Sequence, residues 1–395
     1  MDAREHAAMA RDDDVELSPW SFGVPPKITA AVLRRLPSHV DRVRFTAVCR
    51  AWRAAASLQP RQPLPWLALP DGTFFSYPGS APLRFPNAAR YHGSSGDCLL
   101  LRGDAAGGGD GYMLVHAFSG DTIMCLPDLS SVRFVVRGGE WLHWRSITDD
   151  KRAPKDTAVH KVVMCPGRQI VAAMVGDGRR LNRIAVCRPD SGSWVMSAHD
   201  AWRGFTDIAF YDGKVYAVHQ ETGDLFAMPV DVDRHTGELK VSWAKIVIKA
   251  TEGDADAPAK RRKAPPTMRY LLVSGGRLLM VHRVVVTSDD SATIRFTVFK
   301  ADLVSSRWSE VKSVGDDTAL FVGRWTSLSR RVSPYGLPAN RIHFLDDDVF
   351  CNGCPAGQFG SYDMTDGATY PLLPPLEELG NGGAGDTPAT WLFPW

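Results

Sequence analysis

From Trp66 onward the chain is written in one repeated grammar: short runs of Val, Ile, Phe, Tyr and Trp, cut by Asp-Gly, Ser-Gly, Thr-Gly and Gly-Gly pairs. Such runs read as strands, and the pairs read as tight turns that demand left-handed backbone. Phe205–Val218 reads as strand, Asp-Gly turn, strand, and His219–Met228 adds another turn and strand. Arg269–Val281 repeats the pattern, with an outer hairpin over Phe296–Trp308. Turns at 117–122, 189–194 and 364–369 occupy equivalent places, and Trp66–Tyr77 is a looser copy. About six units of roughly 55 residues, each with four short strands, are the arithmetic of a β-propeller blade. The expected fold is mainly β, a propeller of about six blades behind a small N-terminal α domain. A pair of large β-sandwiches is the alternative.

The first sixty residues obey a different period. Ile28, Val32 and Leu36 recur at spacing four with Leu33 beside them, which predicts a helix entered at Pro25-Pro26 and ended at Pro37. Phe45, Val48, Cys49 and Trp52 stand at i, i+3, i+4 and i+7, and Ala54-Ala55-Ala56 continues that stripe up to the Pro-rich stretch 59–65. Helices this short bury little surface alone. The expected organisation is a disordered segment 1–17, a helical domain 18–58, a linker 59–65 and a propeller 66–395. Loops at 251–267 and 380–389, polar and without apolar periodicity, are expected to be mobile.

Charge and cysteine usage narrow the function classes. With 46 Lys+Arg against 44 Asp+Glu the net charge is +2, without the footprint of a protein held by nucleic-acid phosphates. Seven scattered cysteines suit a reducing compartment rather than a disulfide framework. There is no long apolar run and no Asn-x-Ser/Thr site, and the acidic N-terminus does not look like a secretory signal. The expectation is nucleus and/or cytoplasm, with no membrane partner.

The helical segment resembles an F-box. The resemblance is carried by Val24-Pro25-Pro26, Ile28, Val32-Leu33, Arg35-Leu36-Pro37, Asp41-Arg42-Val43-Arg44-Phe45 and Val48-Cys49-Arg50-Ala51-Trp52-Arg53. Val24 stands where the family has Leu, and Lys27 where an acid is usual. The rest is similar to plant F-box proteins with a C-terminal KIB-type β-propeller. The matching stretches are Pro65–Ser76, Phe118-Ser-Gly-Asp121 with Leu126-Pro127, Asp207–Tyr216, Gly360–Asp363 and Trp391–Trp395. Together these imply a substrate-recognition subunit of a Skp/cullin/F-box ubiquitin ligase. Val24, Pro25, Ile28, Val32, Leu33, Leu36, Pro37, Val43, Phe45, Val48, Cys49 and Trp52 would then contact the Skp-type adaptor, and the propeller would hold an unidentified substrate protein.

Other motifs carry less. Cys351-Asn-Gly-Cys354 has no second ligand pair for zinc. Gly380–Gly385 matches G-x-G-x-x-G without the required strand and helix. Asp346-Asp347-Asp348 reads as a solvated hairpin tip, and Lys260–Lys263 as a charged loop or a nuclear-import signal. No catalytic motif, metal or cofactor is expected. The rival readings are a propeller enzyme with a central pocket and a binding propeller with a degenerate F-box. Trp194 and Trp308 are expected to pack blades, while Trp141, Trp144, Trp202 and Trp325 are candidates for a face that grips substrate.

Overall fold

A computed structural model describes residues 24–36, 38–58, 62–79, 81–85, 91–104, 110–136, 141–147, 150–165, 170–178, 180–189, 191–233, 235–250, 267–288, 291–345, 359–372 and 389–394. The expectations for 1–17, Pro37, most of both loops, Asp346–Asp348, Cys351, Cys354 and Lys260–Lys263 lie outside the described residues. The chain divides into two units, 1–61 and 62–395. None of the described helices is long and apolar enough to cross a membrane.

The second unit is a six-bladed β-propeller, as the turn spacing predicts; the sandwich reading is ruled out. Blade 1, from its inner strand outward, is Thr390–Leu392, Trp66–Ala68, Thr73–Ser76 and Leu83–Arg84. Blade 2 is Gly93–Ser95, Cys98–Asp104, Asp110–His116 and Thr122–Leu126. Blade 4 runs Phe205–Tyr211, Lys214–His219, Leu225–Val232 and Leu239–Val241, with Lys245–Ile248 also on the third strand. Blade 5 runs Thr267–Ser274, Arg277–Ser288, Ser291–Asp302 and Arg307–Val311.

Blades 3 and 6 depart from that simple order. In blade 3, Ala158–Met164, Val171–Gly176, Asn182–Cys187 and Trp194–Ser197 are followed outward by Val132–Val135 and Trp141–Arg145, which precede them in sequence. The junction, Trp194 opposite Val132, is therefore parallel. Blade 6 runs Leu328–Arg331, Thr318–Val322, Arg341–Phe344, Gly360–Asp363 and Thr369–Pro371, with a parallel step between its second and third strands.

Blade strands read as apolar runs because both faces are covered. In Val171–Gly176 all six residues are buried. Val171, Ala173 and Val175 pack towards blade 2, while Ala172 and Met174 pack towards blade 4. The same two-sided packing joins blades 4 to 5, 5 to 6 and 6 to 1. Trp66, Phe74, Phe85 and Phe118 form an aromatic cluster. At the edge the pattern reverts to alternation, as in Thr122–Leu126. The Asp212-Gly213 turn has φ of 45° and 71°, the left-handed pair that a two-residue hairpin needs.

Trp194 and Trp308 occupy corresponding places, each fastening its blade to the one before. Trp194 Nε1 donates to Pro127 O (2.7 Å), just beyond blade 2, and Trp308 Nε1 donates to Gly223 O of blade 4 (3.0 Å). Trp391 does the same at the ring closure, donating to Val322 O of blade 6 (3.1 Å). Residues 62–65, read above as linker, belong to the propeller unit. Leu64 is buried in the core between blades 6 and 1, and Gln62 O accepts from Tyr335 Oη (2.7 Å).

The same core holds a pH-sensitive group. His343 stacks on Phe321 at 4.6 Å, is 2 % exposed, and has no partner for Nε2. Burial, with the Arg341 charge, holds its pKa down to about 3. In the unfolded chain it titrates near 6.5, so between those values only the unfolded chain takes the proton and stability falls as pH drops. At pH 5 this amounts to about 2 kcal/mol. Urea unfolding at pH 7.5 and pH 5 should show His343→Phe losing about 2 kcal/mol less than wild type on acidification; an equal loss would refute this assignment.

Candidate functional site: an exposed helical surface and a central channel

The N-terminal unit holds α1 (Pro26–Arg34), α2 (His39–Val48) and α3 (Arg50–Ser57). Pro26 opens α1, where a missing N–H is no loss. Arg42 Nη1 donates to Leu33 O (2.9 Å), fastening α2 to the end of α1. The stripe through Phe45, Val48, Cys49 and Trp52 fits one helix face, in a segment read as two or three short helices, and the structure divides it between α2 and α3. Cys49 is extended (φ −162°, ψ 172°) and its carbonyl accepts the Arg53 N–H that begins α3. The break leaves the Phe45 and Trp52 rings in tilted contact, with centroids 4.4 Å apart, while Val48 turns outward.

The sequence-predicted contact residues therefore separate. Leu33 and Phe45 are buried; Val24, Leu36, Cys49 and Trp52 are partly covered. Pro25 is exposed, and so are four aliphatic side chains: Ile28 (53 %), Val32 (36 %), Val43 (51 %) and Val48 (55 %). Ile28 and Val32 share one face of α1, one turn apart. Around them Arg34, Arg35, Arg44, Arg50 and Arg53 are exposed. The surface is apolar and basic at once.

The propeller's second feature is its axis. The inner strands of the six blades surround a channel of about 760 Å³, lined by residues 95–96, 161–165, 208–210, 271–273, 325–328 and Phe393. Walls such as Ile208, Leu271 and Leu328 are apolar. Into this setting blade 3 places Lys161 and blade 4 places Asp207, paired as ions with side chains 4 % and 2 % exposed. Asp207 also accepts the N–H groups of Ile208 (2.6 Å) and Leu271 (2.8 Å), so one carboxylate ties blades 3, 4 and 5. Burial pushes its pKa up, and Lys161 with the two N–H bonds pulls against that. Cys165 is in the wall too, and burial pushes its thiol up to about 12. A smaller cavity of about 470 Å³ is lined by His160, Arg180, Met268 and Arg324, and it shares Trp325 with the channel.

Of the tryptophans considered for a gripping face, Trp325 is buried in the channel wall, and Trp202 is half-buried with Nε1 donating to Asp150 (3.0 Å). The side chains of Trp141 and Trp144 lie outside the described residues. Lys161 and Asp207 are not in the sequence-predicted set. The available signal was a single charge inside each mostly apolar run, Ala158–Met164 and Phe205–Tyr211.

No curated protein matches the chain. Among solved structures it is similar to apo AztD from Citrobacter koseri, at 11 % identity over 67 % of this chain and 74 % of that one, TM-score 0.29. It is also similar to the N-terminal domain of Nup159, at 8 % identity over 80 % and 77 %, TM-score 0.30. A quinonprotein alcohol dehydrogenase-like protein from Bacteroides thetaiotaomicron gives 10 % identity over 85 % and 79 %, TM-score 0.31. Values this low carry no statement about ligand or activity. The KIB1-4 beta-propeller family profile matches residues 69–365, from blade 1 into the last hairpin of blade 6. The chain belongs to the KIB1-4 beta-propeller family.

Proposed function

We propose that this chain is the substrate-recognition subunit of a Skp/cullin/F-box ubiquitin ligase, acting in the nucleus and/or cytoplasm. Its N-terminal helices bind the Skp-type adaptor, and its propeller binds the substrate protein. The observation that carries this is the group Ile28, Val32, Val43 and Val48, four aliphatic side chains left exposed on a three-helix unit. Burying each against a partner's helices contributes about 1.5–3 kcal/mol. The F-box resemblance places these same residues in its contact set. The chain then performs no chemistry: it raises the local concentration of substrate lysines near a ubiquitin-carrying enzyme supplied by other subunits.

The rival reading, an enzyme working in the channel, finds less support. Cys165 is held as a neutral thiol, and Lys161 is tied to Asp207 rather than poised as a base.

The test is co-purification of the full chain with a Skp-type adaptor. Ile28→Asp combined with Val48→Asp should abolish capture while leaving the propeller's melting unchanged, because both side chains are exposed. Trp52→Ala is a poorer probe, since it removes the ring that packs on Phe45. Undiminished capture by the double variant would overturn the assignment.

A further inference from the structure

The central channel has properties that substrate-protein recognition on a propeller face does not use. It is a largely apolar cavity of about 760 Å³, within the range that encloses drug-sized molecules. Two hydrogen-bond donors in its wall are under-used. Lys161 carries three N–H bonds, and its one protein partner among the described residues is Asp207. Trp325, 7 % exposed, has no acceptor for its Nε1–H. Buried donors without acceptors are costly, and close to a cavity they mark where an incoming group is recognised.

The charge state narrows what that group is. Lys161 and Asp207 together are neutral. A charged ligand would give up its hydration in a largely apolar wall that holds no opposite net charge to offset the loss. Both unfilled positions are donors, so the ligand supplies an acceptor oxygen.

We propose that the central channel binds a neutral, mainly apolar small molecule whose carbonyl oxygen accepts hydrogen bonds from Lys161 and Trp325. The apolar body lies against Ile208, Leu271 and Leu328, and the oxygen sets its orientation. Ligand occupancy would brace the inner strands of all six blades, since each blade contributes to the wall. This site is independent of the adaptor-binding surface and stands or falls separately from it.

The probe is Prodan, a neutral naphthalene dye with one ketone, compared with its propyl analogue, in which CH₂ replaces the carbonyl. Equilibrium dialysis against the full chain gives the ratio of the two affinities. Wild type should bind one Prodan per chain. The ratio should then shift by about tenfold towards the analogue in Trp325→Phe and in Lys161→Met combined with Asp207→Asn. Val273→Trp, which puts a larger side chain in the channel wall, should weaken binding of both dyes. Trp325→Phe removes the unpaired donor and leaves a smaller ring that both dyes meet alike, so the ratio is decisive even where the Val273→Trp variant does not fold. Absence of saturable Prodan binding to wild type, a ratio unchanged in both donor variants, or full binding to a folded Val273→Trp protein would each overturn the proposal.

Discussion

Ending the chain at Ala389 should prevent the propeller from folding, although it removes only six residues. Thr390–Leu392 is the inner strand of blade 1, paired antiparallel with Trp66–Ala68. Trp391, Leu392 and Phe393 are fully buried. Around them the ring is sewn shut. Ser94 Oγ lies 2.5 Å from Thr390 Oγ1 and 2.6 Å from Thr326 Oγ1, and the Phe393 N–H donates to Gly96 O (2.9 Å). Removing a buried Trp or Phe side chain costs about 3–5 kcal/mol, and a buried Leu about 2–5. Three together match the whole stability of a typical domain, about 5–15 kcal/mol. Trp391→Ala is the graded version and should cost about 3–5 kcal/mol. Near-UV circular dichroism and thermal denaturation check both. A truncated chain that melts cooperatively close to wild type would show that the ring closes without this strand.

The second large effect belongs to the Lys161–Asp207 pair. Lys161→Met alone leaves a carboxylate buried without its cation, which costs about 3–5 kcal/mol. Adding Asp207→Asn should recover most of this. Ile208 and Leu271 donate to different oxygens of Asp207, so the amide oxygen keeps one of the two N–H bonds and the other is lost, but no net charge is left in the wall. The double variant should lie within about 1–3 kcal/mol of wild type, the cost of the one N–H left unpaired. Denaturant midpoints of wild type, the two single variants Lys161→Met and Asp207→Asn, and the double variant close the cycle. Additive losses would mean that the two charges are not coupled.

The blades were legible because turn chemistry is local. Asp212-Gly213, Gly275-Gly276 and the outer turn 303–306 each announce a hairpin within a few residues, and the structure places one at each. What escaped was non-local. Leu392 pairs with Trp66 across almost the entire propeller sequence, and a three-residue strand has no periodicity of its own. The outer pair of blade 3, Val132–Val135 with Trp141–Arg145, joins a sheet whose other strands come later in the chain. Such pairing depends on ring geometry rather than on any residue in the segment. The break at Cys49 is a different case. Positions i, i+3, i+4 and i+7 fit a continuous helix, and no Pro or Gly marks the interruption. Hence the proposed contact residues could be named from the sequence, while their division into buried Leu33 and Phe45 and exposed Ile28, Val43 and Val48 needed the fold. In the channel, the lone Lys and lone Asp were visible in sequence, but their meeting across two blades was not.

The central claim is that the N-terminal helices are a docking surface. Isothermal titration of the purified full chain with a purified Skp-type adaptor tests it most directly, at two salt concentrations. Four buried aliphatic side chains contribute about 6–12 kcal/mol in all against an association cost of about 4–15 kcal/mol, so these four alone correspond at best to a Kd of about micromolar. The exposed Arg34, Arg35, Arg44, Arg50 and Arg53 should make binding to an acidic adaptor weaken as salt rises. Saturable one-to-one binding with that salt dependence is the predicted result. No heat of binding at low salt, from a chain whose propeller is folded, would contradict the account.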